Sequence, residues 1–138
     1  PYGESLAMNY KGAIIEESLE NLNVLRDVKI TDTRVSKVTE RSKTPWLTQW
    51  TMHFVEIPED HAEVVAETIA HAIDRAHAGS WYADFKSDTT HFVIFREKVF
   101  KIDRTKKEEY DAAVEYGASV GIPRHQLDFS GAVIKWER

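Results

Sequence analysis

The feature that most constrains the fold of this chain is the order in which its hydrophobic period changes. Three stretches carry the period of two of half-buried strands, one then repeats at three and four as a helix does, and the whole succession follows a second time. The first group comprises 11–19, with Ala13, Ile14 and Ile15; 28–38, where β-branched residues dominate; and a stretch opened by Pro45. In the last of these, Trp46, Trp50, Met52 and Phe54 fall on one face and Gln49, Thr51 and His53 on the other. The apolar phase of 28–38 slips by one residue, which predicts a bulge near Asp32 to Arg34. Pro58, Glu59 and Asp60 then open a helix whose Ala62, Val65, Ala66, Ile69 and Ile73 share a face; it is expected to reach Ala78 and stop at Gly79.

The second group begins at 81–86, with Trp81, Ala83 and Phe85 on one side and Tyr82, Asp84 and Lys86 on the other. The apolar run 91–95 is expected to be a central strand covered on both sides. A hairpin turn at Arg96-Glu97-Lys98 leads into 99–103. Thr105 with Glu108 gives a capping-box pattern for a second helix, with Tyr110, Ala113, Val114 and Gly117 on one face and Gly121 and Pro123 at its end. The order βββα-βββα predicts an α+β fold, an antiparallel β-sheet with two main helices packed on one face. Its core is expected to include Trp50, Met52, Phe54, Val65, Ile69, Trp81, Phe85, Ile94 and Val114.

A chain of 138 residues fits one domain, placed at 10–129. Residues 1–9 read as an expression remnant or a disordered N-terminus, and 130–138 as a tail or edge strand carrying Val133, Ile134 and Trp136. With no cysteine, disulfides, thiol nucleophiles and Cys-ligated metals are excluded. A net charge of −5 argues against nucleic acid as a partner. No apolar run approaches the roughly 20 residues that span a bilayer, so no membrane is expected and the location is read as cytoplasmic. Gly-rich phosphate loops, nucleophile elbows, zinc-protease helices and EF-hand loops are all missing from the sequence.

The segments Thr44-Pro45-Trp46-Leu47, Val55-Glu56-Ile57-Pro58-Glu59, Trp81-Tyr82-Ala83-Asp84-Phe85-Lys86, Val99-Phe100-Lys101-Ile102-Asp103-Arg104 and Gly121-Ile122-Pro123 resemble those of a small family of conserved prokaryotic proteins of unassigned function. The resemblance covers most of 10–129. It implies a bacterial or archaeal cytosolic origin and transfers no catalytic residue.

Six histidines are the natural place to look for metal or acid–base chemistry. His71 and His77 lie six apart on the first helix, on different faces, whereas Glu67 and His71 are four apart and can meet as a surface pair. No pair has ligand spacing, so no metal and no cofactor is expected. The segment 96–107 is basic, with a net +4, and the first helix is acidic; both read foremost as solvated faces. The most informative cluster is Tyr82, Asp84 and Lys86, because alternation brings a phenol, a carboxylate and an ammonium to one side of a strand anchored by its apolar side. His53 and His91 join it if their strands adjoin.

Three functions compete on these grounds. The favoured one is a non-catalytic module that binds a small-molecule ligand or a protein partner through its sheet face. The second is a small enzyme using Tyr82, Asp84 and His53 or His91 as an acid–base set. The third is a homo-oligomeric structural or regulatory subunit, for which exposed Trp46, Trp50 or Trp136 would be the sign.

Overall fold

The computed structural model describes residues 9–40, 43–77 and 81–129. Expectations for residues 1–8, for the helix stop at Gly79 and for the tail at 130–138 lie outside the described residues. The chain folds in the anticipated order: strands β1 (Tyr10–Ile15), β2 (Lys29–Lys37) and β3 (Gln49–Ile57), helix α1 (Ala62–Ala72), strands β4 (Ala83–Lys86), β5 (Thr90–Phe95) and β6 (Lys98–Asp103), and helix α2 (Lys107–Ser119). The six strands form one antiparallel sheet in the order β2-β3-β1-β4-β5-β6, an α+β fold with two main helices.

Strand β1 lies at the middle, pairing with β3 on one side and β4 on the other. Since both neighbours run antiparallel to β1, β3 and β4 are parallel to each other, and the chain needs α1 to return between them. The approach of β1 to β4 depends on Gly12, where a Cβ would lie 2.5 Å from Phe85 Cα. The phase slip in β2 is a register shift between Ile30 and Asp32, which leaves Thr31 as the extra residue, one position ahead of the stretch the sequence marked.

The two helices do not share a face, which corrects the one-sided packing expected above. Helix α1 buries Val65, Ala66 and Ile69 against Val55, Ile57, Phe85, Phe92 and Ile94. Helix α2 buries Tyr110, Ala113 and Gly117 against Val93, Phe95 and Ile102. Phe92 and Ile94 alternate with Val93 and Phe95 along β5, so the helices cover opposite sides of that strand. Only two-sided cover can bury the whole apolar run 92–95, and all four residues are buried.

Both helices differ locally from the sequence reading. Helix α1 ends at Ala72 because Ile73 turns extended and bridges to Leu19, while Glu20 N–H donates to the Ala72 carbonyl at 2.8 Å. Main-chain pairing with 18–20 thus replaces a further helical turn. At the start of α2, Thr105 Oγ1 donates to Asp103 Oδ1 at 2.7 Å and Glu109 Oε1 accepts from Asp103 N–H at 2.9 Å. In place of the expected Thr105–Glu108 pairing, Thr105 turns back to Asp103 and Glu109 receives the Asp103 N–H. Gly121, at φ 111°, ends the helical region as expected.

Of the expected core, Val65, Ile69, Trp81, Phe85 and Ile94 are buried, but Trp50, Met52, Phe54 and Val114 are only half-buried. Strand β3 has the opposite phase to the one its aromatics suggested. His53, Val55 and Ile57 point to the α1 side, and Trp50, Met52 and Phe54 to the other. Among the described residues α2 covers that second side over β5 and β6 only.

Candidate functional site

The register of the sheet builds the site. Asp84 stands opposite Val93 and Lys86 opposite His91, so Tyr82, Asp84, Lys86 and His91 share the α2 side. Ala83 and Phe85 are buried, so the anchoring side of this strand is as expected; Trp81, ahead of the strand, is buried too but borders the Asp84 side. Tyr82 and Asp84 are half-buried and Lys86 is exposed.

His91 is 1% exposed and joins two elements. Its Nε2 lies 2.7 Å from Asp84 Oδ2, and its Nδ1 lies 2.9 Å from the Tyr110 hydroxyl on α2. A carboxylate only accepts, so Nε2 carries a proton, and in the neutral ring Nδ1 accepts from the Tyr110 hydroxyl. Arg104 donates in turn to the Tyr110 hydroxyl and also, at 2.6 Å, to the Ser87 carbonyl. Phe129 packs edge-on to His91, with ring centroids 5.7 Å apart. The chain Arg104, Tyr110, His91, Asp84 runs from beneath α2 to the sheet face. It fixes the orientation of a carboxylate whose other side faces outward.

Asp84 sits where two concavities meet. One, of about 270 Å³, is lined by Ala13, Ile15, Trp50, Met52, Trp81, Tyr82, Asp84 and Gln126. The other, of about 510 Å³, includes Lys11, Thr31, Phe54, Glu56, Asp84 and Lys86. The first is walled by aromatic and aliphatic side chains; the second is ringed by charges. A larger concavity, bounded by Asp88, Thr89, Thr90, Lys101, Ile102, Asp103, Thr105 and Glu109, lies away from this face. None of Tyr82, Asp84, Lys86 and His91 lines it.

The Tyr82 hydroxyl donates to the Gln126 carbonyl at 2.5 Å, and its ring packs on Phe95 and Phe129. Burial foremost, then the charges of Asp84 and Asp128, hold this phenol above its usual value of 10.0. A raised phenol keeps its proton in the folded state after the unfolded chain has lost it. Stability is therefore fully present below pH of about 10 and falls as pH rises beyond it. Urea unfolding at about pH 8 and about pH 11 should show a larger loss for the parent protein than for Tyr82→Phe. Equal losses would contradict this environment for Tyr82.

His53 does not join the cluster. Strands β1 and β4 separate β3 from β5, and His53 points to the α1 side. There it is 8% exposed, with Nδ1 2.9 Å from Thr33 Oγ1 and Nε2 2.9 Å from Glu16 Oε1. Its role is to tie the turn after β1 to the β2–β3 ribbon. His71 meets Glu97 of the β5–β6 turn at 2.9 Å rather than Glu67, and His77 stacks on Trp46 at 3.7 Å between ring centroids. Among the described residues no group of three or more histidines and carboxylates is placed to hold a metal ion. The acidic helix and the basic strand meet through Lys101 Nζ and Glu63 Oε1 at 2.5 Å, so their opposite charges partly answer each other.

Sequence reasoning missed Trp50, Met52 and Phe54 as surface of the site, because large apolar residues on one strand face look like core. It also missed Tyr110, which no local pattern connects with His91. Among the described residues no helix is long and apolar enough to cross a membrane. Comparison of the chain with protein-family models, with curated proteins and with solved structures finds no match.

Proposed function

We propose that this chain is a non-catalytic, cytosolic binding module, of the prokaryotic kind its sequence resembles, that takes a small, flat, largely apolar molecule on the half of this sheet face that α2 does not cover. The ligand's rings rest on Ala13, Ile15, Trp50 and Met52, and a hydrogen-bond donor on it meets the Asp84 carboxylate. One observation carries the reading: Asp84 is held from behind by the buried His91–Tyr110 pair, at the edge of an otherwise apolar hollow. A carboxylate oriented in advance loses little freedom when a ligand arrives.

The test is a thermal-shift screen of one- and two-ring aromatics that carry an N–H or ammonium group. Hits are then titrated into the parent protein and Asp84→Asn. Asparagine keeps the shape and can still accept from His91, so the variant should fold normally. It should bind the hits about tenfold more weakly, the cost of a charged hydrogen bond.

The same hydrogen-bonded chain favours a second reading, an enzyme in which Asp84 removes a proton from its ligand while His91 keeps the carboxylate in place. Conversion of a bound probe to product, lost in Asp84→Asn, would select that reading.

A further inference from the structure

Trp81, a residue of the same wall, carries a polar group that has no partner among the described residues. Trp81 is 1% exposed, and its indole Nε1 is, among the described residues, a buried side-chain donor without an acceptor. Buried donors are almost always paired, so an orphan calls for a physical reason. The other polar groups of the same wall are paired: Trp50 Nε1 donates to Thr44 Oγ1 at 2.9 Å, the Tyr82 hydroxyl to the Gln126 carbonyl, and Asp84 accepts from His91. Trp81 itself is wedged by apolar packing, with its ring 5.6 Å from that of Trp50 and 6.3 Å, at 90°, from that of Trp46. Its N–H is held in place with no acceptor among the described residues.

We propose that the ligand of this site is a flat heteroaromatic molecule of one or two fused rings that carries both a donor and an acceptor. The donor meets Asp84 and the acceptor meets Trp81 Nε1. This rests on the reading of the Asp84 face as a ligand site and narrows its ligand class. The hollow's volume of about 270 Å³ suits a small ring system rather than a peptide. Trp50, Tyr82 and Met52 supply the apolar surface that such rings need. The indole N–H is buried, so the proposed contact requires a side chain of the wall to give way, and Met52, half-buried in the same lining, is the flexible one there. A molecule with only one of the two polar groups leaves either Asp84 or Trp81 unanswered, which makes the pair a filter for ligands bearing both.

Four two-ring probes test this: naphthalene with neither group, quinoline with an acceptor, indole with a donor, and 2-quinolone with both. We expect 2-quinolone to bind most tightly, and the Trp81 indole N–H resonance, identified by its loss in Trp81→Phe, to move downfield as it does. Replacing Trp81 with 3-benzothienylalanine, which keeps the shape and lacks the N–H, should weaken 2-quinolone by about tenfold and leave indole within about twofold. An unmoved resonance, or 2-quinolone affinity unchanged by the replacement, would overturn the role of Trp81. If 2-quinolone binding depends on Asp84 in that case, the binding site stands and only its ligand class is wrong. Equal binding to parent and Asp84→Asn, or no binding of any probe at about millimolar concentration, would overturn both.

Discussion

Gly12→Val is expected to cost about 3 kcal/mol or more of folding stability, and to do so by prising the sheet apart at its centre. A Cβ at residue 12 would lie 2.5 Å from Phe85 Cα and closer still to the Asp84 carbonyl oxygen. Both are main-chain atoms of a hydrogen-bonded strand, which cannot step aside as the end of a flexible side chain can. Relief requires β1 and β4 to separate, and β1 is the strand that joins the two halves of the sheet. Gly117→Ala is the contrast: its Cβ would meet Leu127 and Phe95 side-chain atoms at 3.0 Å, and the helix gains about 1 kcal/mol of intrinsic propensity. Urea unfolding of the two variants should separate them clearly. A Gly12→Val protein within about 1 kcal/mol of the parent would mean that the β1–β4 junction is looser than described.

His91→Leu should cost about 3 kcal/mol, although leucine suits an apolar site. The change removes a ring that is 1% exposed and takes away two hydrogen bonds at once. Tyr110 keeps Arg104 but loses an acceptor, and Asp84 loses the donor that orients it. A buried polar group left short of a partner costs about 1 to 3 kcal/mol, more than a hydrogen bond usually contributes. Tyr110→Phe leaves His91 bound to Asp84 and should cost less, about 1 kcal/mol. If His91→Leu proved as stable as the parent, the chain from Arg104 to Asp84 would be incidental to the fold.

The comparison between sequence and structure turns on how strand faces are read. The run 91–95 had the decisive property: apolar residues at both parities need cover on both sides, and the two helices supply it. The same run already contradicted the one-sided packing inferred from element order. Strand β3 was harder, because Trp50, Met52 and Phe54 compete with His53, Val55 and Ile57 for the buried parity. Which set is buried depends on where the helices lie, and α2 is too far along the chain for local periodicity to place it. Tyr82, Asp84 and Lys86 were legible because alternation within one short strand is enough. The Asp84–His91 contact needed only the turn between β4 and β5 in addition. Tyr110 and the interposed β1 were not legible, since strand order and helix placement arise from long-range packing. Trp81 was read correctly as buried, yet nothing in a sequence shows that an indole N–H lacks an acceptor.

The most direct test of the binding site is a pair of calorimetric titrations, with the tightest-binding probe of the two-ring series added to the parent protein and to Asp84→Asn at matched folding stability. The site described here requires the variant to bind about tenfold more weakly, with its melting temperature in the absence of probe unchanged. Affinities equal within about twofold, roughly 0.4 kcal/mol, would remove Asp84 from the site and leave this sheet face without its anchoring group.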